Sequence, residues 1–246
     1  MVPLLLLAFT ICRPLAAWQS PSTLSVESHG QWTTWWRADS APVRWDSADV
    51  RVAGAVVWRA GATGIRWGTI RLSGPGEAWR VSGILVTFDP RRARLELAAG
   101  EDSDFTKRWT IDSAPPDAEV ALNAGQFEYA GPWGWVVSDS VEHGGPGGGP
   151  LAATIVQDRP GGLRFVPAES IATVRRAGVR LAFQSFPLVL WHDGEVHPFI
   201  RSPGHPIDLA HRDARLGLCQ LRDGTWLIAL TRFEGLGGAL DVLPFG

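Results

Sequence analysis

Hydrophobic and polar positions alternate through much of the first half of the chain, and this two-residue period predicts short β-strands. Valine and isoleucine are frequent in these runs, as expected of residues that pack on a pleated surface. Glycine, proline and aspartate fall between the runs, where tight turns need them. The predicted strands cover residues 50–58, 65–72, 81–88 and 94–97. Their short connections predict an antiparallel meander.

Two segments of the remaining chain have a helical pattern instead. Residues 103–111 are predicted to form a helix with Asp102 or Ser103 at its N-cap. Residues 167–177 place apolar side chains on one stripe, and Gly178 is positioned to end this second helix. Between them, the glycine-rich residues 144–150 predict a flexible loop, because they suit neither a helix nor a strand ladder.

Short apolar runs also continue through the second half and predict further strands. Asp193-Gly194 and Asp223-Gly224 have the composition of hairpin turns between such strands. The predicted strands cover residues 118–122, 181–183, 188–191 and 226–231. The pattern therefore predicts an α+β fold class, with β-rich mixed sheets and a few covering helices.

The N-terminal residues have a leader-like pattern. An apolar run at residues 4–12 is followed by small residues, and it is shorter than the about 20 residues that cross a bilayer. Residues 1–17 are therefore predicted to be a signal peptide, although no basic residue precedes the run and Leu15 is large for its position before the cut. We expect a linker or N-terminal extension at residues 18–49, with residues 20–28 a loose linker, and one domain at residues 50–246. The expected location is periplasmic or secreted, with no membrane span beyond the leader.

The net charge and the amino-acid composition indicate which classes of binding partner to expect. The net charge of the 246 residues is −2, with no long run of like charges, so neither nucleic acid nor an anionic membrane is an expected partner. The chain has 13 tryptophans, whose ring planes suit the apolar face of a sugar and also fill β-rich cores. Removal of a leader would take Cys12 and leave Cys219 without an intrachain disulfide partner.

Four short stretches combine a strand-like apolar run with a polar residue or glycine at its end. They are LNAGQF at residues 122–127, WGWVV at 133–137, QSFPLVLWHDG at 184–194 and RLGLCQLRDG at 215–224. In this order they resemble the phosphodiester glycosidase family, which includes N-acetylglucosamine-1-phosphodiester α-N-acetylglucosaminidase and bacterial proteins mostly linked to exopolysaccharide. The resemblance implies a hydrolase of sugar phosphodiester or glycosidic linkages in an exported polysaccharide or glycoconjugate. It implies a carbohydrate or sugar-phosphate partner and no cofactor.

The resemblance assigns catalytic roles to Asn123 and Arg215. An asparagine amide both donates to and accepts from sugar hydroxyls and phosphate, and an arginine fork binds phosphate through two parallel hydrogen bonds. The chain departs from the family pattern after Arg215, where Leu216 replaces a hydroxyl residue. Glu128 is the carboxylate nearest to Asn123 and a candidate acid or base. His211 is a candidate general acid–base because histidine titrates near neutrality.

Each assignment has a structural alternative that the residues leave open. Asn123 also has the composition of a turn cap, and Arg215 is within reach of a salt bridge to Asp213 or Asp208. Glu128 and His211 are also compatible with solvated positions.

Four further residues are candidate substrate contacts, namely Phe127, Trp133, Ser185 and Asp193. Ser185 is expected to bind or tether rather than attack, because no G-x-S-x-G turn surrounds it. The histidines at positions 192, 197, 205 and 211 match no compact zinc motif, so no metal site is predicted.

The resemblance runs from residue 52 to residue 246. Relatives continue into a helix and a strand that ends in an Asp-Gly-Gly-Gly-Ser-like loop, so we expect a domain truncated at its C terminus, poorly soluble and at best weakly active. The alternative class is a non-catalytic glycan-binding or exopolysaccharide-assembly module that uses tryptophans as sugar platforms. A periplasmic structural protein is a third possibility.

Overall fold

The computed structural model describes residues 23–37, 50–73, 80–98, 110–128, 131–191, 195–204 and 214–233. The first strands are β1 (Thr23–Ser28), β2 (Gln31–Arg37), β3 (Val57–Ala60), β4 (Ile65–Ser73) and β5 (Arg80–Phe88). They are followed by β6 (Gln126–Glu128), β7 (Gly131–Trp133), β8 (Val136–Ser138), β9 (Val141–Gly144), β10 (Ala153–Gln157), β11 (Leu163–Pro167) and β12 (Leu181–Ser185). The last are β13 (Leu190–Trp191), β14 (Glu195–Val196), β15 (Arg215–Gln220) and β16 (Trp226–Phe233). The helices are α1 (Val50–Ala53), α2 (Ile171–Ala177) and α3 (Pro198–Arg201), with 3₁₀ turns at Ile111–Ser113 and Ala168–Ser170.

Two large sheets form the fold. A seven-stranded sheet has the order β15-β16-β5-β4-β1-β2, with β3 paired to β4, and a five-stranded sheet has the order β11-β10-β12-β8-β9. Every strand pair described is antiparallel. The β-rich α+β prediction is confirmed, with antiparallel rather than mixed sheets among the described strands.

Strand alternation divides the core into three layers, because successive side chains point to opposite faces. The layer between the sheets contains Phe88, Phe183, Trp226 and their neighbours. On the other face of the five-stranded sheet, Ile171 of α2 packs on Trp135 and its neighbours. A third cluster lies on the other face of the seven-stranded sheet: Val26, Val52, Val56, Ile70, Leu85 and Leu227.

Several sequence predictions are confirmed closely. The strands predicted at 65–72, 81–88 and 226–231 are β4, β5 and β16, and β3, β4 and β5 form the predicted meander. The predicted second helix is a 3₁₀ turn followed by α2, which ends before Gly178 at φ 79°. Gly224, at φ 83°, lies in the predicted turn between β15 and β16. Antiparallel β13 and β14 flank the other predicted turn, whose residues 192–194 lie outside the described part of the chain.

Other predictions are wrong for reasons of tertiary context. Residues 20–28 are not all a loose linker, because β1 pairs with both β2 and β4 and buries Val26 completely. Part of the predicted extension at residues 18–49 therefore belongs to the sheet. The strand predicted at 50–58 begins as helix α1, which packs Val52 against the seven-stranded sheet. The strand predicted at 188–191 is shortened to β13.

Three further segments differ from their predicted state. Residues 94–97 and 118–122 form no strand, because no neighbouring strand provides a ladder for them in the described structure. The glycine-rich residues 144–150 are anchored at two points, since Gly144 ends β9 and Gly147 binds a buried side chain. The helix predicted at 103–111 lies outside the described residues except for positions 110 and 111, and Ile111 begins a 3₁₀ turn.

Candidate functional site

The buried amide of Gln184 joins three segments that are distant in sequence. Its side chain is completely buried at the end of β12. Its Oε1 accepts hydrogen bonds from the backbone N–H groups of Trp135 at 2.9 Å and Gly147 at 2.8 Å. Its Nε2 donates to the carbonyl oxygen of Gly147 at 3.1 Å. One side chain therefore binds both the start of β8, through Trp135, and the glycine-rich loop, through Gly147.

Two glycines allow the backbone to approach Gln184 closely. A Cβ atom on Gly125 would lie 2.7 Å from the carbonyl oxygen of Gln184, and one on Gly134 would lie 2.8 Å from its Cβ. Both glycines also have positive φ angles, 74° and 90°, which other residues rarely adopt. We call Gly125, Gly134, Trp135, Gly147 and Gln184 the Gln184 junction. Three of the four sequence stretches that carry the family resemblance meet in it.

Trp133 packs beside the junction and is half-buried. Its ring meets Phe186 edge-on, with ring centroids 6.2 Å apart and an interplanar angle of 72°. A Cβ atom on Gly147 would lie 2.7 Å from the Trp133 ring, so the loop covers part of that ring. Trp133 was expected to contact substrate, and the described packing of its ring is against its own chain.

A cavity of about 460 Å³ lies next to the junction, between the two sheets. Residues 92–98 and 115–124 form its outer wall, and Asn123 is one of its lining residues. The Asn123 side chain is exposed, so it lies at the rim rather than in the interior. None of the described residues that line the cavity is a tryptophan. The cavity is within the size range of small-molecule sites.

Charged side chains occur at the same rim. Glu119 lines the cavity, and its Oε1 accepts the N–H of Ala62 at 2.8 Å. Arg94 forms an ion pair with Glu96, and both side chains are largely exposed. Asp117 and Arg92 complete the group of charged residues that line the cavity.

The structure does not bring Arg215 to this cavity. Leu218 of β15 lines the cavity, and Leu216 and Leu218 share one face of the strand because side chains alternate. Arg215 therefore lies on the opposite face, where it pairs with Thr231 of β16. Its side chain is exposed and its carbonyl oxygen accepts the Thr231 hydroxyl at 3.5 Å.

The other predicted site residues have mixed placements. Ser185 is half-buried at the end of β12 and pairs with Ala153 of β10. The side chains of Phe127 and Glu128 lie outside the described part, although their backbone pairs with β7. Asp193 and His211 lie outside it as well.

No cluster of metal-ligating side chains occurs within the described ranges. His197, the described member of the histidine segment, accepts the N–H of Phe199 through Nδ1 at 3.2 Å and so caps α3. Burial raises the pKa of the Cys219 thiol, so this cysteine is poorly suited to act as a nucleophile at neutral pH.

A second polar group lies on the far face of the five-stranded sheet. Glu142 of β9 forms an ion pair with Arg175 of α2 and accepts the indole N–H of Trp135 at 3.1 Å. The Arg175 hydrogen bond lowers the pKa of Glu142 below its ordinary value, and the Trp135 hydrogen bond contributes. Arg180 donates to Gln157 and to the carbonyl oxygen of Leu95 at 2.9 Å. These pairs attach α2 and the outer cavity wall to the sheet.

The site residues predicted from the sequence do not include Gln184, Glu119 or Arg92. Gln184 had a visible signal, because it is a polar residue next to the apolar run of β12. Glu119 and Arg92 had none, because exposed charges near turns are common in every globular protein.

Comparisons with known proteins identify no relative. No family model, no curated protein and no solved structure matches the chain. In the part of the chain that the structure describes, no helix combines the length and the apolar character needed to cross a bilayer.

Proposed function

We propose that the protein is a hydrolase of the phosphodiester glycosidase type, acting on a sugar joined through a phosphodiester. The observation that carries the proposal is the meeting of three resemblance stretches in the Gln184 junction, directly beside the cavity that Asn123 lines. Segments far apart in sequence have no local reason to share such close backbone contacts. The leader-like residues 1–17 support an exported location and an exopolysaccharide or glycoconjugate as substrate.

In this proposal Asn123 binds the sugar or the phosphate at the cavity rim. Its exposed amide lies at the end of the segment that Gly125 holds against Gln184, so its position depends on the junction. Water attacks the anomeric carbon, the bond from that carbon to the phosphate oxygen breaks, and a phosphate monoester leaves. Phosphate monoester is a good leaving group, so the main need is a base for the water.

Glu119 is the described carboxylate best placed to serve as that base. It lines the cavity with Asn123, and the N–H of Ala62 holds one of its oxygens, while the other has no hydrogen-bond partner among the described residues. Glu128 remains a candidate for the same role. Arg215, on the other face of its strand, contributes little in this arrangement.

The test is hydrolysis of a chromogenic sugar-1-phosphodiester by the full chain and by single variants. We expect Asn123→Ala to lower kcat/KM by about 100-fold, as removal of one positioned donor does. Glu119→Gln should lower kcat by about 100-fold or more through loss of the base. Gln220→Ala removes an exposed amide on β15 and is the matched control.

Arg215→Ala distinguishes two predictions: the family resemblance assigns Arg215 a catalytic role, whereas the position of Arg215 away from the cavity predicts that it has none. We expect it to change kcat/KM less than about threefold, because loss of an exposed side chain off the site seldom exceeds 0.5 kcal/mol. Absence of cleavage by the unaltered chain would instead favour the glycan-binding alternative, which titration with the same sugar phosphodiester would detect.

A further inference from the structure

The interior of the cavity is apolar, and its polar residues are confined to one side. Every lining residue that belongs to a β-strand is apolar: Ile65, Phe88, Pro132, Val136, Leu163, Phe183, Leu218 and Ile228. The charged lining residues belong to the surface segments at residues 92–98 and 115–124. In the first of these segments Leu95 and Leu97 are half-buried, whereas Arg94 and Glu96 are exposed. The cavity thus has an apolar interior and a charged rim.

A sugar ring does not suit that interior. Its hydroxyl groups would be moved from water to a place where the strands offer no hydrogen-bonding side chain, which is unfavourable. An aliphatic chain has no such groups and gains from leaving water. The sugar and phosphate are better accommodated at the rim, where Asn123 is exposed.

Arg92 supplies a cation at the same rim. Its side chain is exposed and lines the cavity, and its charge acts on the Asp89 carboxylate without a hydrogen bond. Its neighbour Arg91 differs, because it is bound to Asp89 at 2.8 Å. Arg94 is engaged by Glu96. An anionic group at the rim would therefore meet the guanidinium of Arg92, which binds phosphate oxygens well.

We propose that the cavity binds a single aliphatic chain whose phosphodiester head lies at Arg92, so that the substrate is a sugar joined through a phosphodiester to a lipid. The proposal deepens the proposed function and rests on it for the identity of the sugar phosphodiester. Binding of the aliphatic group depends only on the cavity and not on the proposed function.

Binding is measured by calorimetric titration of the full chain with lauroyl-lysophosphatidylglycerol below its micelle concentration. This probe has one aliphatic chain and an anionic phosphodiester but no sugar. Glycerophosphoglycerol, the same head without the chain, is the control ligand. We expect the probe to bind and the chain-free head to bind at least about tenfold more weakly, since several buried methylene groups are lost.

Two variants reduce the cavity and one removes the cation. Ala93→Leu and Ala121→Leu each add bulk at a half-buried lining position, and either should weaken probe binding about tenfold. Arg92→Ala should also weaken it about tenfold, through loss of a charge-assisted hydrogen bond. Ala172→Leu and Arg176→Ala, on the exposed face of α2, are the matched controls and should leave the affinity unchanged. Circular dichroism identifies any variant that fails to fold, and if Ala93→Leu or Ala121→Leu does so, the other one tests the cavity.

The outcomes separate the two proposals. Equal binding of the probe and glycerophosphoglycerol, or unchanged affinity in both Ala93→Leu and Ala121→Leu, would overturn the lipid inference. Cleavage of a chain-free sugar phosphodiester would still support the hydrolase in that case. Chain-dependent binding that Ala93→Leu weakens, without cleavage of any sugar phosphodiester, would support the lipid site and overturn the hydrolase.

Discussion

At the scale of single residues, the contacts of Gln184 explain why a polar side chain occupies a fully buried position. Burial of an amide is unfavourable unless its groups are hydrogen-bonded, and here both its oxygen and its nitrogen have backbone partners. The same bonds satisfy backbone groups at Trp135 and Gly147. The amide therefore acts as a link between segments.

Replacement of Gln184 should show this link as a loss of stability. We expect Gln184→Leu to lower the free energy of unfolding by about 2–4 kcal/mol, because buried N–H and C=O groups lose their partners. Urea denaturation measures the change. Gln220→Leu, at an exposed position, is the control. Equal stability of the two variants would mean that the junction is not an important contributor to the fold.

Gly147 should be equally sensitive for a steric reason. A Cβ atom there would lie 2.7 Å from the Trp133 ring, whereas one on Gly148 would meet nothing within 4 Å. Gly147→Ala is therefore expected to cost about 1–3 kcal/mol of unfolding free energy, and Gly148→Ala less than about 0.5 kcal/mol. Thermal denaturation of both variants tests this. A larger loss in Gly148→Ala than in Gly147→Ala would contradict the described approach of the loop to Trp133.

At the scale of elements, strands and turns with strong local signals were predictable. The alternation of β4 and β5, Gly178 after α2 and Gly224 in the last hairpin all follow from side-chain period and backbone sterics. Residues 94–97 also alternate, yet they form no strand. Alternation shows only which side chains face an apolar interior, and a ladder requires a partner strand as well.

The attachment of α2 to β9 leads to a pH-dependent prediction. The folded-state pKa of Glu142 is lowered, mainly by Arg175, so the pair stabilises the fold above the ordinary carboxyl pKa and is lost as pH falls through the lowered value. Glu142→Gln should thus lower the unfolding free energy at pH 7, by at most about 1 kcal/mol because both side chains of the pair are more than a third exposed. The difference from the parent should shrink below about pH 4.3, the ordinary value for glutamate, and vanish in stronger acid.

Urea denaturation at a series of pH values measures this difference. Glu169→Gln, an exposed glutamate just before α2, is the matched control and should show no such dependence. An effect of Glu142→Gln that is the same in acid and at neutral pH would exclude the ion pair as its cause.

At the scale of the whole molecule, the inner face of the seven-stranded sheet extends beyond the layer that the second sheet covers. Register places Leu216, Leu230, Ile84, Thr69 and Val57 side by side across five strands on this face. The four apolar members are exposed, at 42%, 40%, 46% and 64% in the order Leu216, Leu230, Ile84 and Val57. Leu216, Leu230 and Ile84 are adjacent in this row, and such an exposed apolar patch favours self-association.

Polar substitution in this row should improve solution behaviour. We expect Ile84→Thr combined with Leu230→Thr to reduce self-association in sedimentation velocity and to reduce binding of a hydrophobic dye. Threonine preserves strand propensity, so stability should change by less than about 0.5 kcal/mol at each exposed position. Val141→Thr, at another exposed apolar position, on β9, is the control. Unchanged association would show that another surface is responsible.

By itself, the sequence determined the β-rich class, the positions of β4, β5, β12 and β16, and the turns at Gly178 and Gly224, because these depend on side-chain period and on backbone sterics within a few residues. Only the tertiary structure decided which motifs share a site. The partners of Gln184 are 49 and 37 residues away, at Trp135 and Gly147. Whether Arg215 lies near Asn123 depended on the register of β15 and on which of its faces points to the cavity, and no local pattern encodes either. Asn123 therefore lines the cavity that the two sheets enclose, and Arg215 lies on the other face of its strand.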